Sequence, residues 1–174
     1  MRDRMERRLS YLISGETFAI IMFPIIYAVS FFAYQDLKLH FLFSFWLSFF
    51  LLEFILLQGS LYWRVKLKQL KKETSVILSP RVVRTLQILE KVNGGLLLLT
   101  LLFFVIDFLI WYPNIPFKEL SITGCIFIFA FLEYVNYFYI QLSYDNISDL
   151  KFLIRTRRLK EAYIKKDIRR GSSG

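Results

Sequence analysis

The residues of this sequence that could carry chemistry are acids placed inside very apolar stretches. Glu53, Asp107 and Glu133 each lie within a long hydrophobic run, and no lysine or arginine lies inside any of these runs. A carboxylate at the centre of a bilayer costs about 2.5–3.5 kcal/mol even on the most lenient insertion scale. These acids must therefore be protonated, hydrated, or matched by a cation from outside the runs.

The apolar stretch FLEYVNYFYIQLSYDN, residues 131–146, is the richest of these in polar side chains. On a helix, Glu133, Asn136, Tyr137 and Gln141 would share one broad face, because residues three or four positions apart lie side by side. Carboxyl, amide and hydroxyl groups on one face are suited to binding a proton, a cation or an amine. We therefore expect this face to line a cavity.

Two further acids are expected to contribute to the same cavity. Glu53 lies at nearly the same depth as Glu133, counted along helices at 1.5 Å per residue. We expect the two carboxyl groups to face a shared interior, where repulsion and desolvation favour protonation, and Asp107 to form a third wall. The plainer alternative is that protonated carboxyls only hold helices together, at about 0.6 kcal/mol for each hydrogen bond.

Enzymatic and metal chemistry have little support in the sequence. There is one cysteine, Cys125, and one histidine, His40, so neither an internal disulfide nor a zinc site of cysteine and histidine ligands is expected. We interpret Cys125 as a buried packing residue and His40 as a residue of the membrane interface. We find no phosphate loop and no nucleophile–base spacing, and we predict no cofactor.

Four apolar runs must position the acids, and each is close to the roughly 20 residues that cross a hydrocarbon core of about 30 Å. We predict transmembrane spans at residues 17–34, 39–63, 94–112 and 120–142. Short connections join the spans into two hairpins, residues 17–63 and 94–143. The predicted fold class is therefore all-α, an integral membrane four-helix antiparallel bundle with cytoplasmic amphipathic helices.

The segments outside the spans are basic. Residues 1–16, 64–93 and 144–170 contain four, eight and nine lysines and arginines, whereas the two other connections contain one each. The positive-inside rule therefore places both termini in the cytoplasm and the protein in the plasma membrane. Ser79-Pro80 predicts a helix from about residue 80 that continues into span three. Residues 171–174, GSSG, are typical of an expression linker and are left out.

A last amphipathic helix is predicted for residues 149–170, and we expect its basic side to contact anionic lipid headgroups. A docking site for an acidic soluble protein is the alternative. Nucleic acid is not an expected partner despite the net charge of +9, because the basic residues flank apolar runs. The bilayer is the expected partner, and a homodimer is left open. The residues expected at the lipid surface are Arg155, Arg157, Arg158, Lys165 and Lys166.

The layout and the FLEYVNYFYIQLSYDN stretch resemble small four-span bacterial membrane proteins that carry labels such as general stress protein, a resemblance that implies no residue roles. An acid within a small four-helix unit is also similar in theme to small multidrug transporters, although this chain is longer and its acids lie in spans two to four.

Three hypotheses on function follow. The first is a protein that binds or moves a cation or small amphipath through a cavity lined by carboxylates. The second is an accessory or scaffold protein that acts through its basic cytoplasmic helices. The third is a membrane-embedded enzyme that modifies a lipid, which ranks last because no catalytic motif is present.

Overall fold

The computed structural model describes residues 2–34, 36–71, 78–142 and 159–172, and within these ranges the chain is helical with no strand. A single turn of 3₁₀-helix, Leu39–Phe41, precedes α2. The α-helices are α1 (Arg2–Ala33), α2 (Phe43–Lys71), α3 (Pro80–Ile110), α4 (Phe117–Phe138) and α5 (Tyr163–Ser172).

Four of these helices, α1 to α4, are long and apolar enough to cross a membrane. The prediction of an all-helical chain with four apolar spans is thus confirmed. Two boundaries differ from the prediction. Helix α1 begins at Arg2, so the basic arm is continuous with the first span, and α2 continues past Trp63 to Lys71. Polar residues extend a helix beyond the bilayer without a break, because the helix satisfies its own backbone groups in either medium.

Helix α2 is the central element. It packs against α1, α3 and α4, whereas α1 and α4 make no close backbone contact with each other in the described part of the chain. The side chains of Leu51, Leu52 and Ile55 on α2 are at most 1% exposed and form the middle of the apolar core. Since the backbones of α1 and α4 both approach α2 closely but not one another, a gap is left between them over one side of α2.

A polar seam joins α2 to α3. Asn93 and Gln58 exchange two side-chain hydrogen bonds of 2.8 and 3.0 Å, and both are buried. Near the other end of α3, Asp107 is fully buried and accepts backbone N–H groups of Phe43 (3.2 Å) and Ser44 (2.8 Å). These are first-turn amides of α2, which have no partner within their own helix. Asp107 therefore acts as a cap supplied by another helix.

The predicted third wall of the cavity has to be corrected accordingly. Asn93, Thr100 and Asp107 do share one face of α3, as their spacing of seven indicated, and all three are fully buried. Asn93 and Asp107 bond to α2, and the Thr100 hydroxyl donates to the carbonyl of Leu96 in its own helix. This face of α3 is filled by partners, so its role is to fix the register of α2 and α3.

The C-terminal part of the chain also departs from the prediction. Helix α4 ends at Phe138, and residues 159–162 are extended, with Ile140 and Glu161 forming an isolated antiparallel bridge. The last helix therefore begins at Tyr163 and does not run unbroken from residue 149 to 170; residues 143–158 lie outside the described ranges. Cys125, predicted to be buried, is exposed on α4, the side available to lipid. The predicted helix start at Ser79-Pro80 is found, although the Ser79 hydroxyl makes no capping bond.

Replacement of Asp107 tests its role at the start of α2. We expect Asp107→Ala to lower the free energy of unfolding by about 2 kcal/mol, because two amides of α2 lose an acceptor in a buried place. Asp107→Asn should lose less, since its amide oxygen still accepts one bond. Reversible unfolding in mixed micelles measures both. Asp36→Asn, an exposed acid in the connection before α2, is the control and should have no effect.

Candidate ligand-binding site

The gap between α1 and α4 is a cavity of about 370 Å³ with α2 as its floor. Four polar residues of its wall belong to the stretch singled out in the sequence: Glu133, Asn136, Tyr137 and Gln141. Glu16, on α1, is a further polar residue of the wall. The structure thus brings together the polar side chains that follow one another at the end of α4 and adds an acid from the opposite wall.

Glu16 is the best-held of these side chains. Its Oε1 accepts a hydrogen bond of 2.7 Å from the indole N–H of Trp63 on α2, and a second from the hydroxyl of Tyr137 on α4. The carboxyl group therefore ties together three helices that approach the cavity from different sides. The other oxygen, Oε2, is buried and has no hydrogen-bond partner in the described part of the chain. One face of this carboxyl group is fixed and the other remains able to accept a proton or a ligand.

Gly59 allows the Glu16 cluster, which consists of Glu16, Trp63 and Tyr137, to form. It is buried on α2 beneath the carboxyl group and the Tyr137 ring. A Cβ atom at position 59 would overlap the Tyr137 hydroxyl and would lie 2.9 Å from Glu16 Oε2. Because a methyl group cannot occupy that space, Tyr137 and Glu16 reach α2 only where it carries no side chain. Glycine here serves close approach and not an unusual backbone angle.

Glu133 supplies the second carboxyl group of the cavity. Its Oε2 lies 3.4 Å from the amide nitrogen of Asn136, a long hydrogen bond, and the residue lines the same cavity as Glu16. The Asn136 amide oxygen is used differently, because it accepts the backbone N–H of Leu142 at 2.8 Å. Asn136 therefore stabilises the turn after α4 while it orients Glu133.

The same turn explains how Gln141 reaches the cavity although it lies beyond the helix. The chain reverses after Phe138, and the N–H groups of Tyr139 and Ile140 both bond to the carbonyl of Val135. The Gln141 N–H then bonds to the Lys160 carbonyl at 2.9 Å, and its side chain is 5% exposed. The sequence predicts Gln141 on the same helical face as Glu133. In the structure Gln141 lies beyond the helix, and the turn after α4 brings it to the same cavity.

Aromatic rings make up much of the remaining wall. Tyr11 and Phe23 belong to α1, Trp63 to α2, Phe129 to α4 and Tyr163 to α5. Faces of aromatic rings attract cations, most strongly where water is excluded. A cavity with two carboxyl groups among such rings is therefore suited to a positively charged group that carries apolar surface.

One basic residue, Arg8, lies at the end of the cavity nearest α5. Its guanidinium carbon is 5.9 Å from the centre of the Tyr163 ring. Eight residues of α1 separate it from Glu16, a rise of about 12 Å along the helix. The cavity thus has a basic end beside α5 and an acidic middle.

Two of the predicted site acids lie elsewhere. Asp107 caps α2, and Glu53 does not line this cavity: it lies on the outward stripe of α2, between the exposed side chains of Phe50 and Leu57. One oxygen of Glu53 is buried and has no hydrogen-bond partner among the residues that the structure describes. The acid that shares a cavity with Glu133 is therefore Glu16 and not Glu53.

Sequence reasoning missed Glu16 and Trp63. Glu16 directly precedes the first apolar run and falls within the basic arm of residues 1–16, and Trp63 enters the prediction only as the last residue of span two. The short connection between spans one and two was the signal that could have identified them. It places the start of span one beside the end of span two, so Glu16 and Trp63 are expected to lie close together.

The basic residues predicted at the lipid surface can be followed only in part. Lys165 and Lys166 are exposed on α5, and the Lys165 ammonium lies 5.0 Å from the centre of the Tyr139 ring. Arg155, Arg157 and Arg158 lie outside the described residues. Contact with anionic headgroups stays a prediction for all five.

In the described part of the chain, no three histidine, cysteine, aspartate or glutamate residues are grouped so that they could hold a metal ion. No protein-family model, curated protein or solved structure matches the chain.

Filling the space at Gly59 tests the geometry of the Glu16 cluster. We expect Gly59→Ala to destabilise the protein by about 1–3 kcal/mol, because the added methyl group displaces Tyr137 and Glu16 from a packed site. Alanine normally stabilises a helix by about 0.5–1 kcal/mol relative to glycine, so the sign is diagnostic. Gly95→Ala is the matched control, since nothing lies within 4 Å of its added Cβ. Equal melting temperatures for the two variants would contradict the geometry described here.

Proposed function

We propose that this chain is a polytopic plasma-membrane protein that binds a small amphipathic cation in the cavity between α1 and α4. The observation that carries the proposal is the pair of carboxyl groups, Glu16 and Glu133, in a cavity of about 370 Å³ walled largely by aromatic rings. Pockets for small organic ligands have volumes of about 300–1,000 Å³ and combine apolar walls with a few polar groups.

The proposed topology is an antiparallel bundle with both termini in the cytoplasm. Contacts between helices support the antiparallel order, because Glu16 on α1 bonds to Trp63 while Tyr27, further along α1, stacks near Phe45, closer to the start of α2. The excess of basic residues in three of the five segments outside the spans supports the cytoplasmic orientation. In this orientation α5 and the end of the cavity beside it lie at the inner membrane surface.

The position of the cavity favours a ligand that has an apolar part. Tyr11 and Phe129 line the cavity and are 71% and 44% exposed, so the opening between α1 and α4 has a largely aromatic rim. In the proposed topology Phe129 lies within a span and faces hydrocarbon, whereas Tyr11 belongs to the basic arm and lies at the inner membrane interface. A ligand could therefore keep its apolar body beside lipid while its cationic group contacts Glu16 and Glu133.

The energetic cost of two carboxylates in one cavity also favours a cationic ligand. Two ionised carboxyl groups in one cavity repel each other and are costly to desolvate. A cation that enters between them offsets both penalties, which an anion or a neutral molecule of the same size cannot do. We accordingly assign Glu16 and Glu133 the role of charge recognition, and Asn136, Tyr137 and Gln141 that of orienting the carboxyl groups and the ligand.

Binding of tetraphenylphosphonium to the protein in lipid nanodiscs tests the proposal, with empty nanodiscs as the correction for partitioning. We expect Glu16→Gln and Glu133→Gln each to weaken binding about tenfold or more, the effect of losing one partly desolvated charge interaction. Glu53→Gln is the matched control, an acid of a span that lies outside the cavity, and should bind as the unmodified protein does.

The shape-matched anion tetraphenylborate separates charge recognition from apolar partitioning, because the two ions differ mainly in sign. We expect no protein-dependent binding of the borate. Equal binding of the two ions, or binding unaffected by both glutamine variants, would exclude the proposed site. Flux of the phosphonium ion into liposomes then distinguishes a transporter from a protein that only binds.

A further inference from the structure

Helix α5 closes the cavity at one end. Tyr163 and Ile164, its first two residues, are part of the cavity wall, and Ile164 is 1% exposed. The inner side of α5 packs against α3 and α4 and joins the main apolar core through Ile164 and Ile168. Its outer side carries Lys165, Lys166 and other basic residues. A short amphipathic helix thus lies across the end of the gap that α1 and α4 leave open.

One polar side chain fixes α5 to the end of α2. Asp167 is 8% exposed, and its Oδ2 accepts a hydrogen bond of 2.7 Å from the Tyr62 hydroxyl and forms an ion pair with the ammonium group of Lys66. Tyr62 and Lys66 are one helical turn apart on α2, so both reach the same oxygen. Charge-assisted hydrogen bonds of this kind are among the stronger polar contacts in proteins.

The same end of α5 also contacts the binding site itself. The Tyr163 ring meets the Trp63 indole edge to face, with centroids 5.5 Å apart, and Trp63 donates its N–H to Glu16. One contact between α5 and the Glu16 carboxyl group therefore passes through the Trp63 indole. Movement of α5 would remove one support of Trp63 and, through it, of Glu16.

The chain before α5 is attached separately, by backbone bonds. The Gln141 N–H bonds to the Lys160 carbonyl at 2.9 Å and the Ala162 N–H bonds to the Tyr139 carbonyl at 3.2 Å. These bonds hold residues 160–162 to the end of α4 whether or not Asp167 is engaged. Helix α5 therefore has a fixed point at its start and a side-chain attachment one turn further along.

We propose that α5 is a hinged lid on the cavity, with residues 160–162 as the hinge and Asp167 as the latch that holds the lid to Tyr62 and Lys66. Release of the latch opens the cavity to the aqueous phase at the α5 end. Regulation of cation entry by the lid rests on the function proposed above. Control of the access of water and solutes to the cavity does not depend on that function.

The lid is tested by the reactivity of a thiol inside the cavity, without any ligand. Ala19→Cys, in a Cys125→Ser background, places the thiol on the cavity wall between Glu16 and Phe23. The charged, membrane-impermeant thiol reagent MTSET then reports access from water to the protein in nanodiscs. We expect slow modification with the latch intact and modification about tenfold faster in Asp167→Asn or Lys66→Gln, since each loses a charge-assisted bond that opposes local opening.

Tyr62→Phe is the mildest variant of the latch, because it removes one hydroxyl and keeps the ring and the charge pair. It should give a smaller acceleration than Lys66→Gln and keeps the test decisive if Asp167→Asn fails to fold. Asp36→Asn is the control. It removes an exposed acid in the connection before α2, away from both the hinge and the latch, so the rate should not change.

Two reference thiols identify the route of the reagent. Ser10→Cys, exposed near the α5 end, should react fast in every background, whereas Ile21→Cys, on the exposed apolar side of α1, should stay slow in every background. If the thiol at position 19 reacts equally fast with the latch intact and with the latch broken, the lid proposal is wrong. If the modification rate at position 19 does not depend on the latch while tetraphenylphosphonium binds normally, only the lid is rejected. If the rate depends on the latch but tetraphenylphosphonium does not bind, only the proposed function is rejected.

Discussion

Polar groups in a bilayer must find their partners within the protein, because the surrounding hydrocarbon offers none. This constraint accounts for most of the specific contacts between the helices of this chain. Asp107 bonds to the amides at the start of α2, Asn93 bonds to Gln58, and Glu16 bonds to Trp63 and Tyr137. Apolar side chains fill the space between helices, but they pack nearly as well against lipid. The polar contacts are what select one arrangement.

The polar groups fall into two sets that differ in how fully they are satisfied. Between α2 and α3, the Asn93–Gln58 pair exchanges hydrogen bonds in both directions and both Asp107 oxygens accept a backbone amide, so nothing remains for a ligand. Between α1 and α4, one oxygen of Glu16 is buried and finds no hydrogen-bond partner within residues 2–34, 36–71, 78–142 and 159–172. A satisfied network specifies structure, whereas an unsatisfied acceptor beside open space is typical of a site that awaits an occupant.

The sequence was informative wherever a pattern is local. The four apolar spans, the helix from Pro80, the common face of Asn93, Thr100 and Asp107, and the clustering of Glu133 with its polar neighbours can all be derived from spacing along the chain. What could not be derived is which helical face meets which neighbour. Glu53 and Glu133 are level in depth, yet depth says nothing about rotation, and position 53 faces outward on α2. Rotation is set by packing around α2, and no periodicity within a single span records it.

The break after Phe138 was invisible for a related reason. Residues 131–142 follow a helical pattern in the sequence, but the turn there depends on Asn136 accepting the Leu142 amide and on pairing with residues 160–162. Both are non-local bonds. Glu16 was overlooked through the opposite error, in which a charged residue at the edge of a span was assigned to water because its neighbours in sequence are basic.

The bond between Tyr137 and Glu16 joins residues 121 positions apart in the chain. A ribosome adding about 5–20 residues per second leaves an interval on the order of ten seconds between them. Throughout that interval the first helix has its carboxyl group but not its hydroxyl partner on α4, and it contacts only what has already been made. Glu16 can therefore accept the Trp63 indole N–H as soon as α2 is made, but it gains its second donor only when the fourth helix arrives.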